Sequence, residues 1–148
     1  MKRILGIDYG DARTGIAITD ALNITAQGLE TINNKGSDKI ILKRLDELFL
    51  KYEIDTIVIG RPINMNGTES ERTKITDNFI HKLKCKYNKM KLETIDERLT
   101  TVAAHKTMNL LDVNKYKKKN IVDTISAVYI LETYLNKVQE MNWLFKKG

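Results

Sequence analysis

Ile4-Leu5-Gly6-Ile7-Asp8-Tyr9-Gly10-Asp11-Ala12-Arg13-Thr14-Gly15-Ile16-Ala17-Ile18-Thr19-Asp20 is the stretch from which the fold is read. Two short apolar runs flank a polar, glycine-punctuated turn, the pattern of a β-hairpin. The first run closes on Asp8. A period of two puts Asp8 on the same face as Ile4 and Gly6, a face expected to be covered, where an ionised carboxylate is costly unless positive charge meets it. The plainer alternative is that Asp8 caps the turn, a common use of aspartate.

Working outward, Asn23 to Ile32 reads as a third strand, with Gly28 marking a bulge and Asn33-Asn34-Lys35-Gly36 a loop. Three strands in a row predict a meander. Ser37 is the expected N-cap of an amphipathic helix carrying Ile41, Leu45, Leu48 and Tyr52 on one stripe. Asp55-Thr56-Ile57-Val58-Ile59-Gly60 has the continuous apolar centre of a strand buried on both faces. Its place after a helix predicts parallel pairing with the first strand.

Arg61-Pro62-Ile63-Asn64-Met65-Asn66-Gly67 is a loop where a parallel strand ends, the place at which open sheets bind ligands. Thr68 and Glu71 have the spacing of a capping box, and the helix they open carries Ile75, Phe79 and Leu83 inward until Asn88. Leu92 to Ile95 is a short strand ending at Asp96-Glu97-Arg98. Another helix is expected through Ala104, Met108 and Leu111, followed by a basic loop from Asp112 to Lys119. The last helix, from near Asn120, is apolar over a wide arc (Ile121, Ile125, Val128, Leu131, Leu135) and should pack on the sheet. Asp123 heads a stripe continued by Ala127, Ile130 and Tyr134. The apolar tail Met141 to Lys147 is expected to fold back on the domain.

Composition sets the bounds. The chain has 148 residues, 42% hydrophobic and 30% charged, which fits a single globular domain over residues 1–148. No apolar run nears the ~20 residues of a membrane helix, and the N-terminus lacks the features of a signal peptide. The lone cysteine, Cys85, has no internal disulfide partner and reads as an incidental thiol. A cytoplasmic protein with no membrane partner is expected.

The formal charge is +6, and residues 1–74 carry 11 basic and 11 acidic side chains against 14 and 8 in residues 75–148. The excess gathers at Lys82, Lys84, Lys86, Lys89 and Lys91 and again at Lys115, Lys117, Lys118 and Lys119. Such clusters are the footprint of a protein that meets a polyanion, although solvated helix faces produce them too.

Three carboxylates stand where chemistry could use them: Asp8 and Glu97 at strand ends, and Asp123 near the start of the closing helix. If they converge, hard oxygen ligands would select Mg²⁺ or Mn²⁺, and such ions can activate water for attack on a phosphodiester. Arg13, Arg61, Arg98 and Lys119 would line the same rim for phosphate contact. Singly, each acid has another explanation: a turn residue, a partner of Arg98, and a first-turn residue favoured by the helix dipole. His81 and His105 lie on predicted helices, which argues against a histidine-based nuclease.

Four segments, in order, now carry a likeness. They are Gly6-Ile7-Asp8-Tyr9-Gly10 with Arg13 and Gly15; Gly60-Arg61-Pro62-Ile63-Asn64-Met65-Asn66-Gly67-Thr68-Glu69; Asp96-Glu97-Arg98-Leu99-Thr100-Thr101; and Val122-Asp123 with Ser126-Ala127-Val128-Tyr129-Ile130-Leu131. Through them the chain resembles the YqgF family, also called RuvX-like, over nearly its whole length. The resemblance implies an α/β, ribonuclease H-like fold: a five-stranded mixed sheet, three antiparallel strands first, flanked by helices. It implies a divalent-metal nuclease with Asp8, Glu97 and Asp123 as both catalytic residues and metal ligands. Arg13, Arg61, Asn64, Arg98, Thr101 and Lys119 are the substrate-contact candidates. Members of this family look like processing enzymes for the 5′ end of the small-subunit ribosomal RNA precursor, with four-way DNA junctions as the other substrate. Nucleic acid, structured RNA or branched DNA, is therefore the expected partner, and a monomer and a homodimer are both compatible with the sequence. Where the family usually has leucine and alanine, this chain has Arg61 and Ser126; the first could add a phosphate contact, the second is small enough to keep the packing.

Two readings from other classes stay beside the nuclease. The opening hairpin also resembles the phosphate loop of actin-like ATPases and sugar kinases, which need two such domains. A non-catalytic RNA-binding assembly factor would keep the fold without the activity.

Overall fold

In the computed structural model, residues 2–100 and 115–147 are described, with side chains over 2–100 and 124–145. Strands β1 (Arg3–Asp8), β2 (Arg13–Thr19) and β3 (Ala26–Asn33) form the antiparallel meander. Helix α1 (Asp38–Lys51) leads to β4 (Ile54–Arg61), parallel to β1, and α2 (Glu71–Lys86) leads to β5 (Lys91–Asp96), parallel to β4. A 3₁₀ turn (Glu97–Leu99) follows, and α3 (Lys115–Lys147) closes the chain. The five strands lie in the order β3-β2-β1-β4-β5.

Alternation along β1 divides the core in two. Leu5 and Ile7, with Ile16, Ile18, Ile57 and Ile59, pack under Ile41, Leu45 and Leu48 of α1 and Phe79, Ile80 and Leu83 of α2. On the other face, Ala17, Val58 and Ile95 meet Ala127, Ile130, Leu131 and Tyr134 of α3. Gly6 faces α3, and that helix comes so close that a Cβ there would lie 2.5 Å from Leu131 Cγ and 3.1 Å from the Ala127 carbonyl oxygen. The expected bulge is present: pairing passes from Ile16 with Glu30 to Ala17 with Gly28, leaving Leu29 as the extra residue.

Several local expectations are corrected. Helix α2 is capped by Ser70, whose hydroxyl accepts from Thr73 N while Thr73 Oγ1 accepts from Ser70 N. Thr68 does not cap it: its hydroxyl accepts from Asn64 Nδ2, its hydroxyl and amide donate to Asn66 Oδ1, and its carbonyl accepts from Asn64 N. The inward stripe shifts accordingly to Thr73, Thr76, Phe79, Ile80 and Leu83, and Ile75 is 38% exposed.

The stretch Lys115–Lys119 is helical rather than loop, as lysine's good helix propensity permits. The tail does not fold back. No glycine or proline interrupts α3, so its 33 residues run about 50 Å over a sheet about 20 Å across, and Met141, Trp143, Leu144 and Phe145 remain exposed. The helix expected through Ala104, Met108 and Leu111, with His105, lies outside the described residues. Among the described residues no helix is long and apolar enough to cross a membrane.

Gly6→Ala should cost about 1–3 kcal/mol, because the new methyl must displace Leu131 and approaches backbone that cannot yield. Urea unfolding of the variant against the wild-type protein measures this.

Candidate active site

Asp8 is the last residue of β1 and stands at the carboxyl ends of the parallel strands. Its neighbour in register on β2 is Gly15, and on β4 Gly60 follows the Ile59 that pairs with Ile7. Across that glycine comes Glu97. A Cβ on Gly60 would lie 2.6 Å from Glu97 Oε1 and 2.8 Å from its Cγ, so the carboxylate occupies the space a side chain would fill.

Asp8 and Glu97 meet there in a side-chain hydrogen bond. Burial pushes the Glu97 carboxyl above the usual carboxylate range; the bond to Asp8 and the nearby Arg72 guanidinium pull it down, and Asp96 adds to the rise. Two carboxyl groups at this separation need a proton or a cation between them.

The 3₁₀ turn aims Glu97. Asp96 caps it, accepting from Arg98 N at 2.9 Å, and also takes the Arg98 guanidinium, with Nη2 at 2.6 Å from Oδ2. Arg98 holds the Asp96 carboxyl below its ordinary range. Arg98 thus pairs with Asp96, and Glu97 is left to turn toward Asp8.

The loop after Asp8 is stapled from three sides. The buried Asn34 amide donates to the carbonyls of Gly10 (3.1 Å) and Asp11 (2.9 Å), while Thr14 Oγ1 donates to Asn34 Oδ1 (3.1 Å). Tyr9 stacks on Phe79 with ring centroids 4.3 Å apart, and its hydroxyl donates to Asp38 Oδ1 at 2.6 Å. Burial, and then Asp38, raise this phenol above its ordinary range, so it stays protonated. From α2, Arg72 Nη2 donates to the Tyr9 carbonyl and Nη1 to Asp11 Oδ1, both at 2.6 Å.

The other expected substrate contacts have structural duties. Arg61 donates to both Asp77 oxygens (2.8 and 2.9 Å) and to Glu69 Oε1 (2.8 Å). Asn64 holds its own loop through Thr68, donating from its backbone amide at 3.0 Å and its side chain at 3.1 Å. Arg13 opens β2 opposite Asn33. Part of the basic footprint is likewise engaged, with Lys82 bonded to Asp38 and Lys86 to Asp46. His81 and Cys85 face each other at 3.6 Å on the exposed side of α2.

Thr101 lies outside the described residues, as do the side chains of Asp123 and Lys119. Both belong to α3, Asp123 one residue before Thr124, whose hydroxyl is 3.3 Å from that of Thr31. Thr31 pairs with Gly15 and Gly15 with Asp8, one row across the sheet. Among the described residues no three His, Cys, Asp or Glu side chains form a metal cluster.

Asn34 and Arg72 were not marked by sequence pattern. Asn34 sits in an evident loop and looks like any turn asparagine. Arg72 does leave a faint signal: a cation in the first turn of a helix opposes the helix dipole and needs something to hold it there.

A five-stranded mixed sheet in the order β3-β2-β1-β4-β5, with helices packed on both faces, is a ribonuclease H-like fold. The chain superposes on the fowlpox virus Holliday junction resolvase with a TM-score of 0.56 at 14% identity, covering 92% of this chain and 99% of that one. It superposes on Thermus thermophilus RuvC in complex with Holliday junction substrate with a TM-score of 0.51 at 10% identity, covering 90% and 96%. A family model described as RuvX, Holliday junction resolvase, matches residues 2–137. Two relatives bear the name "Putative pre-16S rRNA nuclease". That of Ruminiclostridium cellulolyticum is 53% identical over 136 residues, covering 92% of this chain and 95% of its own. That of Acetivibrio thermocellus is 48% identical over 134 residues, covering 90% and 95%. The chain belongs to the RuvX family.

A carboxyl whose affinity for protons is higher folded than unfolded makes the native state lose stability as pH rises through the interval between the two values. Glu97→Gln removes that loss. In EDTA, the variant should melt above the wild-type protein at pH 7, and the difference should vanish at about pH 3, below the ordinary glutamate value. Thermal melts at the two pH values check it.

Proposed function

We propose that this protein is a divalent-metal-dependent endonuclease that hydrolyses phosphodiesters of structured nucleic acid, acting on the 5′ end of precursor small-subunit ribosomal RNA. The observation that carries the reading is the meeting of Asp8 and Glu97 where the parallel strands end. Family membership supports a nuclease, and the names of the relatives support the ribosomal precursor.

The donor set fits Mg²⁺ or Mn²⁺. Both side chains offer hard oxygens, they stand too close to be ionised together unaided, and Gly60 keeps the space between strand and carboxylate clear. Asp8, Glu97 and Asp123 would hold the metal. Bound there, it would supply an activated water and a stabilised leaving oxygen.

The chain's own residues supply position. Asp8 is fixed by the last ladder pair of β1 and by the stapled turn behind it. Glu97 is fixed by its short turn and by the lack of a side chain at residue 60. Arg13, Arg61, Asn64, Arg98, Thr101 and Lys119 are the proposed substrate contacts. The outer donors of Arg61 and Arg98 act from a loop rim that their ion pairs hold in place.

A four-way DNA junction is the second reading, favoured by the family description and by the RuvC complex. It differs in substrate, with the same chemistry.

Purified protein with Mg²⁺ or Mn²⁺ should cut a precursor ribosomal RNA fragment in preference to a synthetic four-way junction; the reverse preference would favour the second reading. Asp8→Asn should abolish cutting while leaving the circular dichroism spectrum unchanged, and undiminished cutting would reject the site. Gly60→Ala should lower kcat at least about tenfold through displacement of Glu97, while stability falls by no more than about 1–3 kcal/mol, because the atoms it meets belong to side chains and not to backbone.

A further inference from the structure

We propose that Arg72 is a positioning residue for the reaction, holding the backbone behind Asp8 so that the carboxylate pair keeps its geometry. The inference rests on the nuclease reading above and adds a residue to it.

The β1–β2 ladder ends with the pair Asp8 and Gly15, so the chain from Tyr9 to Ala12 has no strand partner to fix it. Arg72 stands in for that partner. Its Nη2 donates to the Tyr9 carbonyl, the first one past Asp8, and its Nη1 to Asp11 Oδ1, both at 2.6 Å. The guanidinium also lies 5.5 Å from the centroid of the Tyr9 ring, which is itself stacked on Phe79 of α2. Residue 9 is thereby gripped through its carbonyl and its ring by the same helix.

A planar fork with several donors can hold two acceptors at once, which a lysine ammonium on a flexible stem does less rigidly. The location adds weight. Arg72 is in the first turn of α2, where the helix dipole disfavours a cation, and the two oxygens it grips offset that cost. The other supports of the turn, Asn34 and Asp38, reach later carbonyls or the phenol oxygen. Arg72 alone among these three reaches the carbonyl of the residue that follows Asp8.

Arg72→Met and Arg72→Lys are the informative variants. The Arg72 side chain is one-third exposed, and the buried core does not include it, so both should fold. In the methionine variant, hydrogen–deuterium exchange of the amides from Tyr9 to Arg13 should rise at least about tenfold while β4 amides are unchanged. With precursor RNA and Mn²⁺, kcat should fall about 10- to 100-fold with KM within about twofold, the signature of a displaced reacting group. The lysine variant should recover part of both effects. Unchanged exchange in the turn would overturn the proposal, as would an unchanged kcat; a raised KM at constant kcat would make Arg72 a substrate contact instead. If the wild-type protein cuts neither RNA nor DNA junctions, the nuclease reading fails, and the exchange measurement alone then decides whether Arg72 holds the turn.

Discussion

Two acids that touch inside a folded protein set a condition on everything around them. Water is partly excluded, burial disfavours charge on Glu97, and the pair persists only if the surrounding chain forces it together. The forcing comes from ordinary elements. A parallel strand delivers Asp8, its neighbour but one delivers Glu97, and the strand between them carries glycine at the level where they meet. Asp96 takes Arg98 for itself, which removes the cation that would otherwise draw Glu97 outward.

The same economy governs the far face of the sheet. Helix α3 lies against β1 at Gly6, where the Ala127 carbonyl and the Leu131 side chain leave no room for a Cβ, and against β4 at Gly60 through the end of the Ile130 side chain. Close approach brings the residues around Thr124 to the row that runs from Thr31 through Gly15 to Asp8. The packing that closes the core is therefore also what brings Thr124 to the row of residues that ends at Asp8.

Much of this was legible in the sequence because it depends on local pattern. Three alternating runs before the first helix give the meander, and the continuous apolar run after it gives a strand parallel to β1; the place of β5 beside β4 has no such local signal. Asp8 and Glu97 stood out because each ends a strand. What escaped depends on partners remote in the chain. Arg72 finds a backbone carbonyl and a carboxylate on another element, and no spacing encodes that. The cap of α2 moved from Thr68 to Ser70 because Asn64 and Asn66 claim the threonine first. The tail was expected to fold back on account of its apolar residues, but an unbroken helix has no joint at which to bend. Arg61 and Arg98 read as phosphate contacts from their charge and their place on loops at one rim, and both also tie down the rim that would present them.

The strand order has a bearing on when the acidic pair comes into being. Asp8 leaves the ribosome on the first strand, whereas Glu97 follows the fifth, and their meeting requires the outermost parallel strand to have docked beside its neighbour. A contact so distant along the polypeptide carries a loop-closure cost that is recovered only when the intervening elements are in place. A nascent chain consequently holds its two acids apart until β5 has emerged and paired with β4.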